Sequence, residues 1–301
     1  MLIDRIRARE TGIVLYGMVP PKTTTDTDEL AAIAARQRGR IADLPINGLV
    51  VYDLQDEQAR TSEARPFPFI ETVDGFDYSR THLGDLDVAR VIYRAVGKYT
   101  PDELRAFLDA ADPARELTVF VGAASRDQAV TMSIDQAYAL RSEVADPPPL
   151  GGVVIPERHQ AKGTEHLRVF DKIEKGCEFL VSQGVYDVEA SKNFLSDYYY
   201  EGQRRGVELV PILFTLTPCG SAKTLDFMKW LGISIPRWLE NELTHTDDIL
   251  EQSVDISERN YRELQSFAAA KGIPIGCNVE SVAVRKVEVE ASVALLHRLV
   301  S

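Results

Sequence analysis

Short apolar runs rich in β-branched residues alternate along this chain with segments whose apolar residues recur at helical spacing. The apolar runs predict strands at 13–19, 48–53, 88–96, 117–122, 151–155, 178–184, 208–214 and 274–279. Helical spacing predicts helices at 27–42, 101–111, 133–144, 164–175, 188–205, 222–231, 247–271 and 281–300. Thr100-Pro101-Asp102-Glu103 is a strong helix start, with a threonine cap, proline at the first position and acids in the first turn. The exception is the polar stretch 54–87, which reads as a weak helix plus a loop.

Eight β/α alternations in 301 residues predict a single-domain (β/α)8 TIM barrel over 1–301. The rival is an open doubly wound sheet, but no GxGxxG follows the first strand. Pro147-Pro148-Pro149 reads as a stiff connector rather than a domain linker. Barrel chemistry sits at the C-terminal strand ends. Those ends include Gly17 to Pro21, Pro156 to His159, Gln183 to Tyr186 and Asn278 to Ser281.

Composition narrows the partners. The formal net charge is -12 and no basic run occurs, which argues against nucleic acid and against an anionic membrane surface. No apolar run approaches the roughly 20 residues a bilayer needs, and Met1-Leu2-Ile3-Asp4-Arg5 has no signal-peptide core. Cys177, Cys219 and Cys277 are far apart, so neither a zinc site nor a disulfide framework is expected. A cytoplasmic protein is the expectation.

Gln183 ends the apolar run Phe179-Leu180-Val181-Ser182-Gln183, so its amide stands at a strand mouth. There it either meets a ligand, as donor and acceptor together, or caps the strand end. Lys162 to Lys175 reads by itself as a solvated charged helix. Ile235-Pro236-Arg237-Trp238-Leu239 reads as the start of a short helix with a buried tryptophan.

The ordered series Pro156-Glu157-Arg158-His159, Gly176 to Gln183, Tyr186-Asp187-Val188-Glu189, Leu209 to Phe214 and Ile235 to Leu239 resembles the second half of methylenetetrahydrofolate reductases. The resemblance implies a one-carbon folate oxidoreductase that interconverts 5,10-methylene- and 5-methyltetrahydrofolate. It implies FAD, with His159, Ala161, Glu165 and Lys172 along its ribityl-diphosphate part, and NADH as a further cofactor. It implies that Gln183, with Lys223 and Phe227, meets the pterin, Gln183 also serving catalysis. The partner is then a tetrahydrofolate derivative, and there is room for a homo-oligomer.

The first half departs from the family pattern. The family's first-strand glutamate, which protonates the leaving nitrogen, is Gly17 in Tyr16-Gly17-Met18-Val19-Pro20-Pro21. The third-strand His-x-Thr-Cys is Tyr93-Arg94-Ala95-Val96, and the fourth-strand Arg-Gly-Asp is Gly122-Ala123-Ala124-Ser125. Asp53, Asp56, Glu57 and Glu280 are candidate replacement acids, although each also reads as a solvated loop acid. Loss of the protonating acid favours oxidation of the methyl form. Two other readings stay open: a flavin-free NADH-dependent reductase, and a non-redox folate-binding or methyl-transfer barrel.

Overall fold

The structure is a computed structural model that describes residues 1–58, 61–125 and 128–300. Its strands are β1 (Val14–Met18), β2 (Gly48–Val51), β3 (Ala89–Ala95), β4 (Glu116–Val121), β5 (Leu150–Val154), β6 (Cys177–Gly184), β7 (Ile212–Leu216) and β8 (Ile275–Val279). They close in sequence order, β1 through β8, into a barrel, with parallel pairing of β1 to β8, β2 to β3, β3 to β4, β6 to β7 and β7 to β8. The expected (β/α)8 fold is therefore present. The strands read as continuous apolar runs because a parallel strand is covered on both faces. Every residue of β1, β2, β7 and β8 is buried.

The helices are α1 (Leu2–Arg7), α2 (Thr27–Ile41), α3 (Gly75–His82), α4 (Pro101–Ala110), α5 (Ile134–Ser142), α6 (Pro156–Lys162), α7 (Glu165–Glu174), α8 (Val188–Arg205), α9 (Ala222–Trp230), α10 (Arg237–His245), α11 (Ile249–Ala269) and α12 (Lys286–Val300). The chain falls into two compact units, Met1–Ile3 with Gly17–Gly151, and Asp4–Tyr16 with Gly152–Ser301. The first holds β2 to β4 and α2 to α5. The second holds β6 to β8 and α6 to α12.

Local chemistry sets the boundaries. Thr100 caps α4 as expected: its hydroxyl accepts from Glu103 N–H at 3.3 Å, while the Glu103 carboxylate accepts from Thr100 N–H at 2.8 Å. Ser133 and Gln136 repeat that arrangement at α5. Gly206, at φ 65°, ends α8 in the left-handed region where glycine has no steric penalty.

Four expectations shift. Strand β7 begins at Ile212 rather than 208, because Pro211 has no N–H to give the ladder. The Pro156 segment, which lies outside the predicted helices, forms α6, with proline at its first turn and Gly163, at φ 66°, closing it. In the stretch 54–87 the helical part is α3, capped by Asp74, whose carboxylate accepts from Phe76 N–H at 2.8 Å and Asp77 N–H at 3.0 Å. Ala59 and Arg60 of that stretch lie outside the described residues. Trp238 is not buried. It is 58% exposed, and α10 instead buries Leu239 and Leu243, one helical turn apart, in a cluster with Tyr186, Met228 and Ile256.

Candidate functional site

In the second unit the C-terminal ends of β6, β7 and β8 carry a buried polar row. The Ser182 hydroxyl accepts from Thr215 N–H at 2.8 Å, and Thr215 Oγ1 donates to the Ser182 carbonyl at 2.6 Å. Asn278 Nδ2 donates to Thr215 Oγ1 at 3.2 Å and reaches Glu280 Oε2 at 3.5 Å. Thr217 extends the row, accepting from Val282 N–H at 3.2 Å through its hydroxyl and from Tyr186 OH at 2.7 Å through its carbonyl. Between Val181 and Gly184 the β6–β7 register shifts, which is how the Ser182 hydroxyl reaches the Thr215 backbone. Apolar strands that turn hydroxyl- and amide-bearing only at their C-terminal ends form a hydrogen-bonding floor where barrel ligands sit.

Gln183 borders this row. Its Nε2 donates to the Leu231 carbonyl at 2.8 Å, just past the end of α9. One N–H thus ties β6 to the end of α9, and the side-chain oxygen and second N–H keep their capacity for a further hydrogen bond. Both roles open to it in the sequence are compatible with that placement. Phe227 is buried on α9 and stacks on Trp230 with ring centroids 6.0 Å apart, while Lys223 of the same helix is exposed.

Glu157 occupies the first turn of α6, directly after β5. Its two carboxyl oxygens are shielded and, among the described residues, have no partner beyond its own backbone N–H. Burial pushes its pKa up to about 8; its own backbone N–H offsets part of that, and the Asp187 charge adds to it. The group is thus largely a neutral carboxylic acid near pH 7, able to donate a proton. Sequence reasoning noted Glu157 only as part of a motif, because its burial is a tertiary property.

The residues that resemblance assigned to FAD are placed differently from that role. The Lys172 ammonium donates to the Val153 carbonyl, and burial lowers its pKa. The Glu165 side chain is fully buried, accepts from Ile155 N–H at 3.2 Å and pairs with Arg158 at 3.5 Å and Arg168 at 3.4 Å. His159 is 4% exposed, with Nε2 2.9 Å from Asp197 Oδ2. Ala161 is exposed on α6. The three long side chains therefore serve internal contacts between β5, α6, α7 and α8. As placed they offer no free cation to a diphosphate and do not fit the flavin-cradle role. A lysine and a histidine at the right sequence offsets say nothing about whether their heads point out or in.

In the first unit, Asp53 is also committed internally. It accepts from Ala95 N–H at 2.8 Å, Lys98 Nζ at 2.5 Å and Tyr99 OH at 2.8 Å. Asp56 accepts from Gln58 N–H at 2.9 Å within its own loop, and Glu57 is half-buried. Arg94, 4% exposed, follows Tyr93, which stands in the place of the family's histidine, and pairs with Asp74 and with Tyr99 OH at 3.0 Å. Burial raises the Asp74 pKa, but the Arg94 charge and hydrogen bond, with the Asp77 and Phe76 N–H groups, outweigh it and leave it below 3.8.

A depressed folded-state pKa stabilises the fold above the unfolded value and ceases to do so as pH falls through the folded one. Acid unfolding of the parent is therefore expected to include an Asp74 contribution below about pH 4. Asp74→Asn is expected to lower stability at pH 7 by about 1–3 kcal/mol and to flatten that acid limb. Urea unfolding between pH 3 and pH 7 measures both, and parallel curves for parent and variant would contradict the assignment.

Comparison with known proteins bears on the whole chain. A sequence model described as methylenetetrahydrofolate reductase matches residues 125–268. An uncharacterized protein from Clostridium thermocellum, described as binding two copies of 5-methyl-5,6,7,8-tetrahydrofolic acid, is 50% identical, with a TM-score of 0.88 over 99% of this chain and 99% of that one. The dihydropteroate synthase of Xanthomonas albilineans is 14% identical, with a TM-score of 0.44 over 96% of this chain and 92% of that one. That of Vibrio fischeri ES114 is 10% identical, with a TM-score of 0.43 over 97% and 92%. No curated protein matches the chain. Among the described residues, no helix is long and apolar enough to cross a membrane.

Proposed function

The chain belongs to the methylenetetrahydrofolate reductase family, and from that premise we propose that it binds a reduced folate, 5-methyltetrahydrofolate, at the C-terminal ends of β6, β7 and β8. The observation that carries the proposal is the buried row Ser182–Thr215–Asn278, with half-buried Glu280 at its end and Gln183 at its border. A reduced pterin presents a fixed edge of ring N–H groups, an exocyclic amine and a carbonyl. Amide, hydroxyl and carboxylate groups held on three adjacent strands match such an edge without reorganising. The Clostridium thermocellum protein, half identical along its whole length, is described as binding this same compound.

Gln183 gives the proposal a residue-level test. Gln183→Ala is expected to weaken 5-methyltetrahydrofolate binding about tenfold, the usual consequence of a lost buried ligand hydrogen bond. The far-ultraviolet circular dichroism should be unchanged. Equal affinity in parent and variant would make Gln183 purely a tie between β6 and the Leu231 carbonyl.

Family membership supports a second reading, oxidoreduction between 5,10-methylene- and 5-methyltetrahydrofolate. With Gly17 in place of the family's acid, the proton that the folate nitrogen gains on reduction and releases on oxidation of the methyl form is carried by another group or by water, so Gly17 by itself sets no direction. The internal placement of His159, Glu165 and Lys172 favours the flavin-free form of this reading. There a hydride leaves the N5-methyl carbon for NAD+, giving NADH, the methylene form and one proton.

An anaerobic absorbance spectrum of the purified protein, taken before and after 5-methyltetrahydrofolate and NAD+, separates these readings. A visible flavin band that bleaches would restore FAD. Appearance of NADH without a flavin band supports direct transfer. Saturable binding with neither change leaves a non-redox folate-binding barrel.

A further inference from the structure

Three helices of the second unit bring together a set of side chains that folate binding does not use. His159 lies on α6, His166 on α7 and Asp197 on α8. One ligand atom from each lies within 4.8 Å of the other two. The two imidazole rings meet edge to face with centroids 5.1 Å apart, and His159 Nε2 is 2.9 Å from Asp197 Oδ2. The Nδ1 atoms of both histidines are shielded from solvent and have no hydrogen-bond partner among the described residues. A buried polar nitrogen without a partner is costly, and two adjoining rings each carry one, beside a carboxylate within reach of both.

We propose that His159, His166 and Asp197 form a binding site for a divalent transition metal of the zinc type, which clips α6, α7 and α8 together. Two imidazoles and one carboxylate suit zinc, cobalt or nickel and disfavour magnesium or calcium, which take oxygen ligands. His166 is half-buried on α7 with its ring edge to face against that of His159, so both imidazoles present to the same space. Asp197 is about half exposed, which leaves an entry path and a fourth position for water, the pattern of three-ligand sites. Metal–ligand bonds of about 2.0–2.1 Å hold tetrahedral ligand atoms roughly 3.3 Å apart. The side chains thus need to close by on the order of 1 Å, which rotation of exposed Asp197 and half-buried His166 supplies. The proposal is independent of the folate reading.

The test is titration of chelator-treated full-length protein with Co(II), followed by competition with Zn(II). The expected result is the visible absorption of tetrahedral Co(II), saturating at one ion per chain, bleached by zinc and accompanied by a rise in Tm. His166→Gln and Asp197→Asn are each expected to weaken binding at least tenfold. Asp197 lies at the surface, so Asp197→Asn keeps the test decisive even where the histidine variant fails to fold. No saturable ion in the parent, or equal binding by a folded variant, would overturn the proposal.

Discussion

Gly276→Ala is expected to be the most damaging single methyl group that can be added to the barrel strands. Gly276 sits in β8, opposite Leu213 of β7, next to the edge where Cys277 N–H donates to the Ile13 carbonyl at 2.8 Å. A Cβ at position 276 would stand 2.2 Å from the Ile13 carbonyl oxygen and 2.7 Å from Leu213 Cδ2. The leucine tip can rotate away. The Ile13 carbonyl cannot move without loosening the hydrogen bond that joins β1 to β8. Overpacking against backbone is at the severe end of such changes, so a loss of about 3 kcal/mol or more is expected. Urea unfolding of the variant checks this, and stability within 1 kcal/mol of the parent would mean that the two strands are not held this close.

The second large effect is at a buried ion pair in the first unit. Arg90 and Glu116 are 6% and 2% exposed, with Nη1 3.5 Å from Oε1. Glu116 Oε2 accepts from Asp112 N–H at 2.8 Å, and Arg90 Nη2 donates to the Leu83 carbonyl at 3.2 Å. Burial lowers the Arg90 pKa, and the Glu116 charge opposes that shift. Glu116→Ala leaves a buried guanidinium without its counter-charge, expected to cost about 3–5 kcal/mol. Replacing both partners, as Arg90→Met with Glu116→Leu, is expected to recover most of the loss, because a well-packed apolar pair is often as stable as a buried ion pair. Thermal and urea unfolding of the single and double variants measure the coupling. Additive losses would contradict it.

The fold was legible because barrel strands are covered on both faces and so appear as unbroken apolar runs, while the intervening helices keep their 3.6-residue spacing. The Thr100–Glu103 capping box was readable for the same local reason. Where reading failed, one residue usually explains it. Pro211 delays the start of β7, and Pro156 opens a helix outside the predicted ones. Trp238 reads as the buried residue of an amphipathic turn, yet the turn buries Leu239 and Leu243 instead.

The site was less legible. Gln183 stands at a strand end as its position suggested, but its tie to Leu231 joins residues 48 apart. The row through Ser182, Thr215 and Asn278 is assembled from single hydroxyl and amide residues on three strands, with no motif spanning them. Lys172 matches a family pattern in sequence, and Glu165 stands where the family has an aspartate, yet both turn inward. Side-chain direction depends on what packs around a residue, and a linear spacing does not encode it. The sequence-model match over 125–268 contains the whole series from Pro156 to Leu239, in agreement with the place where the residues themselves resembled the family most.

The central claim is that a reduced folate binds at the ends of β6, β7 and β8. Anaerobic isothermal titration of the purified chain with 5-methyltetrahydrofolate tests it most directly, with Gln183→Ala and Thr215→Val measured alongside. Saturable binding by the parent, at one or two folates per chain, and weaker binding by both folded variants are expected. Absence of saturable heat with the parent, or unchanged affinity in both variants, would contradict it.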